Sequence, residues 1–239
     1  MKYKNIVSGT FLKRVNRFIA EAEIDGERII AHVKNTGRCK ELFIKGATAY
    51  FEDFRNPPSV KPLRKTEFSL IAIVKESTRE LINIDSQAPN KVVEEALVSG
   101  KVCLSEMTYP IKVFREKKFL NSRFDFYIED ANGKKGYMEV KGVTLEGSGL
   151  AVFPDAPTAR GARHLRELTE AKKEGYLAYA FFVIQMKGVN SFMPNTPQDP
   201  DFAKALKEAY ANGVRIMIYD CNVAPDSLEI DMEIPLKSF

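Results

Sequence analysis

The chain has 239 residues, is 44% hydrophobic and 28% charged, and carries a formal net charge of +4. This length suits one large domain or two modest ones, and the composition is typical of a soluble globular protein. The longest apolar run, LAYAFFVI at 177–184, is far shorter than the roughly 20 residues of a membrane helix. The first residues, MKYKNIVSG, show no apolar core of a signal peptide, and the three cysteines have no CxxC spacing. We therefore expect a cytoplasmic protein without a disulfide framework, a zinc site or a membrane span.

The positive charge is concentrated in the N-terminal third. Residues 1–80 hold 16 Lys and Arg against 10 Asp and Glu, and the rest of the chain holds 20 against 22. A basic region on a nearly neutral body suits a polyanion such as DNA. An ordinary solvated surface of Lys and Arg is the alternative interpretation.

The N-terminal third is predicted to form a small β-barrel. Apolar residues alternate with polar ones from residue 18 to residue 24, and Asp25 and Gly26 then supply a hairpin turn. The predicted strands are residues 18–24, 29–33, 47–54 and 68–75. The Pro-rich basic stretch 55–67 is predicted to be a loop. About five short strands in 80 residues indicate a small barrel.

The remaining residues predict a mixed sheet flanked by helices. The predicted helices are residues 90–99, ended by Gly100, residues 158–174, and residues 200–212, capped by Asp199 and stopped by Gly213. The predicted strands are residues 109–114, 123–129, 136–143, 177–185, 214–222 and the half-exposed edge strand 228–234. This order favours an α/β domain. We divide the chain at residues 1–84 and 85–239.

Two of these strands carry charges between apolar neighbours. Successive side chains of a strand point to opposite faces, so Glu139 and Lys141 share a face. A three-residue loop ending at Gly133 pairs residues whose numbers sum to 264, and therefore pairs Asp125 with Glu139. Directly opposed Cβ atoms lie about 5 Å apart. The hairpin is thus predicted to gather the three charged side chains on one side of the sheet.

The same alternation predicts that Phe124 and Phe126 face the core together, opposite Asp125. Two carboxylates held close together repel each other unless a proton or a metal intervenes. Oxygen ligands suit Mg²⁺ or Mn²⁺, so Asp125 and Glu139 are candidate catalytic residues and metal ligands. Lys141 is a candidate to orient water and to offset charge on a phosphorus atom. The alternative is a plain cross-strand ion pair between Asp125 and Lys141.

The helix that follows carries further phosphate-binding groups. Arg160, Arg163, His164 and Glu167 fall on one helical face, and apolar residues cover the other side. Arginine matches phosphate geometry, so we expect Arg160, Arg163 and His164 to contact DNA. Because the other candidate ligands are oxygens, His164 is predicted to form hydrogen bonds rather than to bind the metal. A charged face exposed to solvent is the alternative.

Two smaller groups complete the candidate site. The candidates for a third metal ligand are Glu94, Glu95 and Glu116. The further candidate contacts to DNA are Arg38, Lys40 and Arg123. The loop around Arg38 and Lys40 is equally compatible with a polar loop that binds nothing.

Five stretches spread over the chain resemble one known family. VKNTGRCKEL, NSRFDF, GYMEVKGVTL, AVFPDAPTARGARHLREL and GVRIMIYD are similar to the sugar fermentation stimulation protein A (SfsA) family. The resemblance implies an OB-like N-terminal β-barrel followed by a PD-(D/E)xK nuclease-like mixed-sheet α/β domain. In that motif Asp125, Glu139 and Lys141 match the two acidic positions and the lysine, while Phe124 stands where the motif has proline.

Family members are regarded as DNA-binding proteins with a regulatory link to sugar metabolism. The resemblance therefore implies binding of double-stranded DNA without strong sequence preference, and a nuclease-like site for Mg²⁺ or Mn²⁺. An active metal-dependent nuclease is the alternative function. A carbohydrate- or nucleotide-binding regulator is a third interpretation, disfavoured because the chain has no tryptophan for stacking. A homodimer is expected by analogy with nucleases of this architecture.

Overall fold

The computed structural model describes residues 1–35, 37–55 and 65–239 of the chain. Its strands are β1 (Ile6–Asn16), β2 (Ile19–Ile24), β3 (Glu27–Val33), β4 (Thr48–Asp53), β5 (Phe68–Val74), β6 (Leu81–Asn83), β7 (Lys112–Phe119), β8 (Ser122–Glu129), β9 (Lys135–Val143), β10 (Glu146–Gly147), β11 (Leu150–Phe153), β12 (Leu177–Ile184), β13 (Ser191–Pro194), β14 (Arg215–Ala224) and β15 (Ser227–Glu233). Its helices are α1 (Ala88–Val98), α2 (Ala159–Lys173) and α3 (Pro200–Ala211). Most of the basic loop predicted over 55–67 falls on residues 56–64, outside the described residues.

The first five strands close into a barrel, as predicted. β1 pairs antiparallel with β2 and β4, and β2 and β4 pair in turn with β3 and β5. A parallel pairing of β3 with β5 closes the ring. β6 adds a short antiparallel edge to β5. The N-terminal part of the chain is therefore an OB-like barrel.

The β2–β3 hairpin follows directly from its sequence. Ala20, Ala22 and Ile24 are buried inside the barrel, while the residues between them are not. Asp25 and Gly26 have φ angles of 51° and 81°. A two-residue hairpin turn needs such left-handed conformations to match the twist of its strands. The predicted turn is confirmed.

The long strand β1 was not among the predicted strands. Phe11 is its only fully buried residue, and its pairing with β2 shifts register after Phe11 and again after Arg14. Such irregularities bend a strand and break the two-residue alternation. The hydrophobic pattern therefore gave no signal for β1.

The second half of the chain forms a six-stranded sheet in the order β15-β14-β12-β9-β8-β7. β9, β12 and β14 are parallel, and the remaining strands are antiparallel to their neighbours. Val93 of α1 packs in one core with Phe181, whereas Leu165 of α2 packs in the other with Phe182 and with Phe202 of α3. Because β12 is buried on both faces, its sequence is a continuous apolar run. The mixed α/β domain is confirmed.

The helix boundaries agree with their capping residues. Thr158 caps α2 by accepting a hydrogen bond from the backbone N–H of Gly161 at 3.0 Å. Asp199 caps α3, as predicted, by accepting from Phe202 at 3.0 Å. Such side chains satisfy N–H groups that the first turn leaves unpaired. Among the described residues, no helix is long and apolar enough to cross a membrane.

The edge strand β7 corrects one prediction. The sequence predicts a strand over 109–114, but the observed strand β7 pairs with β8 from Lys112 to Phe119. Most of its side chains are exposed. Charged side chains protect a sheet edge from pairing with another chain, and they also hide the strand from a hydrophobicity pattern. The small sheet β10-β11-β13 was likewise not predicted.

The β8–β9 hairpin has the predicted register. Its pairs run from Glu129–Lys135 to Phe126–Met138, and all have residue numbers that sum to 264. Gly133 ends the loop with a φ of 81°. The regular pairing ends at Phe126–Met138, one residue before Asp125. The site begins where these two strands separate.

Candidate metal and nucleic-acid site

Asp125 occupies the point where β8 leaves β9. Its Oδ2 accepts a hydrogen bond from the backbone N–H of Val140 at 2.8 Å, and its Oδ1 accepts from Asn90 Nδ2 at 2.8 Å. The carboxylate thus satisfies a backbone donor of β9 beyond the end of the β8–β9 ladder. Both bonds fix the direction of the carboxylate.

The two phenylalanines beside Asp125 lie on opposite faces of the sheet. Phe124 packs with the α2 side of the sheet, its ring centroid 5.9 Å from that of His164, whereas Phe126 packs with the α1 side. The prediction that both phenylalanines face the same core is wrong, because the alternation of faces is interrupted where β8 leaves the ladder.

Glu139 lies at the centre of the site and is only 4% exposed. Its Oε1 accepts hydrogen bonds from Lys141 Nζ, at 2.5 Å, and from His164 Nδ1. Burial raises the pKa of the Glu139 carboxyl, but the bonds from His164 and Lys141 outweigh it and hold the pKa below its ordinary value. Glu139 is therefore an anion. The predicted alternative, a cross-strand pair of Asp125 with Lys141, is not the pair that forms.

The two carboxylates influence each other. Burial raises the pKa of the Asp125 carboxyl, and the negative charge of Glu139 raises it further. The hydrogen bonds from Val140 and Asn90 and the charge of Lys141 oppose this rise. A raised pKa next to a second carboxylate is the pattern expected where a cation or proton is needed to hold the pair together.

The residues present fit a hard divalent cation. Glu139 Oε2 is buried and has no hydrogen-bond partner among the described residues. A buried anionic oxygen without a partner is unfavourable, and such oxygens are the ligands that Mg²⁺ and Ca²⁺ prefer. Asp125 and Glu139 would hold the ion. Within residues 1–35, 37–55 and 65–239, however, no three His, Cys, Asp or Glu side chains come together as a metal site.

The three candidates for a third carboxylate ligand lie elsewhere. Glu94 pairs with Arg115, and Glu95 pairs with the α-amino group of Met1 at 2.6 Å. Glu116 pairs with Arg123 at 3.2 Å on the exposed surface. In the structure each of the three is therefore directed to an ion-pair partner of its own rather than to Asp125.

Helix α2 connects the surface to the carboxylate pair. Arg160 is exposed, and its Nε donates to His164 Nε2 at 3.3 Å. Because Nε2 accepts, Nδ1 carries the proton and donates to Glu139. His164 therefore forms hydrogen bonds within the protein, with Arg160 and Glu139 as its partners.

Of the four residues on the face predicted for this helix, two are exposed and two are buried. Arg160 and Arg163 are exposed, but His164 is 2% exposed and Glu167 is buried with an unpartnered Oε2 among the described residues. The helix turns this side partly toward β9. His164 is thus not positioned to contact DNA directly, in contrast to the expectation from spacing alone.

The other predicted DNA contacts lie on the surface. Arg38 and Lys40 have exposed side chains, and the backbone N–H of Arg38 donates to Asp155 Oδ2 at 2.8 Å. This bond holds the barrel loop against the segment that leads into α2. Arg123 is exposed at the end of β8, paired with Glu116. The structure thus brings Arg38 near the start of α2 and leaves Arg123 at the sheet edge.

Asn90 is a residue of the candidate site that the sequence did not reveal. It lies in the first turn of α1, and it reaches Asp125, 35 positions later in the chain. The sequence marks it only as part of a helix start after Pro89. No spacing rule connects the two residues, because their contact depends on how α1 packs across the sheet.

Comparisons with known proteins agree with this architecture. A family model described as "SfsA N-terminal OB domain" matches residues 12–84, and one described as "Sugar fermentation stimulation protein RE domain" matches residues 87–227. A "Sugar fermentation stimulation protein homolog" from Clostridium beijerinckii is 52% identical, covering 96% of each chain. A homolog of the same name from Ruminiclostridium cellulolyticum is 49% identical, covering 99% of this chain and 100% of the relative.

A solved structure shows the same arrangement of both parts. "The structure of Pyrococcus Furiosus SfsA in complex with Ca2+" matches with a TM-score of 0.86 and 27% identity, covering 100% of this chain and 98% of that one. The barrel, the mixed sheet and their order along the chain are therefore shared. This chain belongs to the sugar fermentation stimulation protein (SfsA) family.

Proposed function

We propose that this chain binds DNA, without strong sequence preference, and holds a divalent cation between Asp125 and Glu139. The observation that carries the proposal is the buried Oε2 of Glu139, which has no hydrogen-bond partner among the described residues, beside the half-buried carboxylate of Asp125. Lys141 and His164 already occupy the other oxygen. A cation at Oε2 would offset the repulsion between the two carboxylates.

The surroundings of the site suit the phosphate backbone of a double-stranded DNA. Arg160 and Arg163 are exposed on α2, Arg160 contacts the buried His164, and Arg38 is held by its backbone beside the segment that leads to this helix. A guanidinium group can donate two parallel hydrogen bonds to the oxygens of one phosphate. The solved structure of the Pyrococcus furiosus relative is a complex with Ca²⁺, which supports a cation site in this chain too.

Hydrolysis of phosphodiester bonds is the second candidate function. The observation that favours it is the ammonium group of Lys141, held 2.5 Å from Glu139 Oε1 and within the electrostatic influence of Asp125. A bound Mg²⁺ or Mn²⁺ would supply polarisation of the phosphate and of a water molecule. Lys141 would offset negative charge that develops on the phosphate.

Cleavage and binding assays separate the two candidates. Linear, nicked and branched DNA should be incubated with Mg²⁺, Mn²⁺ or EDTA, using the wild type and the Lys141→Ala variant. Metal-dependent cleavage that Lys141→Ala abolishes supports the nuclease. Cleavage by neither protein, with equal DNA binding by both, leaves a DNA-binding protein whose site is not catalytic.

The DNA face is tested by the salt dependence of binding. Each phosphate contact contributes about 0.9 to the slope of log affinity against log salt. We expect Arg160→Ala and Arg163→Ala each to lower the slope by about one, and Lys173→Ala, an exposed cation at the other end of α2, to leave it unchanged. Equal slopes for all variants would remove α2 from the DNA face.

Three further expectations stay predictions. The name of the relatives, sugar fermentation stimulation protein homolog, suggests a regulatory link to sugar metabolism. Deletion of the gene followed by growth on different sugars tests this link. A homodimer is tested by the mass measured in light scattering. A cytoplasmic location is tested by cell fractionation.

A further inference from the structure

A cavity of about 370 Å³ lies between the barrel and the second domain. Arg17 and Asn35 line it from the barrel, and Thr144 and Thr158 line it from the second domain. Thr144 follows Lys141 by three residues, and Thr158 is the N-cap of α2. The cavity is therefore a neighbour of the candidate site, on the side where Arg38 meets the segment before α2.

The charges of the wall disfavour a phosphate inside the cavity. Arg17 and Asp155 are the only ionisable side chains among the described residues that line it. Arg17 is exposed, whereas Asp155 is half-buried and its Oδ2 accepts a hydrogen bond from the backbone N–H of Arg38. The guanidinium group of Arg14, behind this wall, also interacts with Asp155. A wall whose single cation and single anion balance each other favours a neutral ligand over a phosphate.

The rest of the wall combines apolar surfaces with amide groups. Phe153, Pro154 and Pro157 supply apolar surface, and Asn35 and Gln185 supply amides. A nucleobase has apolar faces and a polar edge, so it uses both kinds of wall at once.

Gln185 is built into the wall as a fixed acceptor. It is 1% exposed, and its Nε2 donates to Asn83 Oδ1 at 2.9 Å and to the carbonyl oxygen of Asp85 at 3.2 Å. Its Oε1 points toward Gly142, where an added Cβ would overlap with it. The acceptor is thus held in place before any ligand arrives, which lowers the cost of binding.

The barrel side of the cavity is held in place as well. The guanidinium group of Arg14 donates to the carbonyl oxygens of Gly37, Asn35 and Arg17 at 2.6, 2.6 and 2.8 Å. A single side chain therefore joins the two loops that form this wall. The cavity is preformed rather than made by closure.

We propose that this cavity receives one unpaired base of a DNA strand whose backbone continues past Arg17 to Lys141. The proposal rests on the DNA-binding function proposed above and adds a substrate class: DNA with a single-stranded end or gap beside the duplex. Phe18, half exposed with its ring centroid 6.0 Å from the Arg17 guanidinium, provides an aromatic surface on which the adjoining base stacks. Free nucleotides share this chemistry, and the test below separates the two sources.

The test compares two leucine substitutions that each fill a cavity. Ala156→Leu fills the cavity described here. Ala224→Leu is the matched control, because it fills a separate cavity lined by Val92 and Leu228. Binding is measured for a blunt duplex and for the same duplex with a short 3′ tail carrying 2-aminopurine, in Ca²⁺, with deoxynucleoside monophosphate as competitor. Thermal unfolding confirms that both variants are folded.

We expect the wild type and Ala224→Leu to bind the tailed duplex about tenfold more tightly than the blunt one, the gain of one stacked base. The 2-aminopurine fluorescence should change on binding. Ala156→Leu should bind both duplexes equally, with the affinity of the wild type for the blunt one, and Arg17→Ala should lose part of the preference.

Three outcomes overturn the inference. Equal binding of both duplexes by the wild type, or an unchanged preference in Ala156→Leu, removes the base site while the proposed DNA binding stands. If the deoxynucleoside monophosphate competes for binding but the protein does not prefer the tailed duplex, the cavity binds free nucleotides instead. Absence of binding to either duplex removes the proposed function together with the inference.

Discussion

The cation site predicts a thermal stabilisation that does not depend on catalysis. A ligand at 100 times its dissociation constant stabilises the folded state by about 2.7 kcal/mol. For a chain of this size, about 1 kcal/mol shifts Tm by roughly 2–4 °C. We therefore expect Mg²⁺, Mn²⁺ or Ca²⁺ to raise the Tm of the EDTA-treated protein by about 5–10 °C, because the ion offsets the repulsion between Asp125 and Glu139 and binds the unpartnered Oε2.

The Asp125→Asn variant should lose this response. The amide keeps one of the two hydrogen bonds of the carboxylate, from Asn90 or from Val140, and it removes the like charge beside Glu139. A lost hydrogen bond costs about 1 kcal/mol, and the lost repulsion offsets part of it. We expect its Tm in EDTA to lie within about 4 °C of the wild type, with no further rise when metal is added.

Asp201→Asn is the matched control, because Asp201 is 57% exposed on α3 and carries the same charge change away from the site. Scanning fluorimetry and titration calorimetry measure both effects. The reasoning is refuted if Asp125→Asn responds to metal as the wild type does, since the ion would then bind elsewhere.

Substitutions at three further positions test the fold. Glu146→Gln breaks the buried pair with Lys75, whose Nζ lies 2.5 Å from Oε2, and should cost about 3–5 kcal/mol in urea unfolding. Burial raises the pKa of the Glu146 carboxyl, but the hydrogen bonds from Lys75 and the backbone lower it below 4.5 overall. The contribution of Glu146 to the free energy of unfolding is therefore complete above that pH and declines as the pH falls through the folded pKa. The difference in stability between wild type and variant should shrink in acid. A constant difference down to pH 3 would contradict this. Gly142→Ala should destabilise the protein by about 1–3 kcal/mol because its Cβ overlaps with Gln185, and unchanged unfolding would show that the amide moves freely. Gly133→Ala should cost about 1–2 kcal/mol from its φ of 81° alone, since no atom of the described residues lies within 4 Å of the added Cβ. Gly133→Asn should cost less, and equal losses would point to another cause.

The sequence was informative wherever burial or turn geometry requires particular residue types over a short stretch of the chain. The loop ending at Gly133 predicted the register of the β8–β9 hairpin, which the pairs of Phe126 with Met138 and of Glu129 with Lys135 confirm. The continuous apolar run of β12 marked the central strand, and Asp199 marked the start of α3. Each of these signals depends on residues within about a dozen positions of one another.

Two exposed strands, β1 and β7, lack such a pattern because of their composition. β1 has two register shifts and β7 is a charged edge strand, so neither shows the alternation that a half-buried strand normally has. Their place in the fold depends on pairing with distant strands. Local sequence alone could not reveal β1 or the second half of β7.

The tertiary structure alone decided which side chains form the site. The spacing placed His164 with the exposed arginines, but packing of α2 on the sheet turns it inward to Glu139. Packing of α1 brings Asn90 to Asp125, and it directs Glu94 to Arg115 instead of the site. Sequence spacing determines which residues share a face of one element, while the burial of that face depends on where the other elements lie.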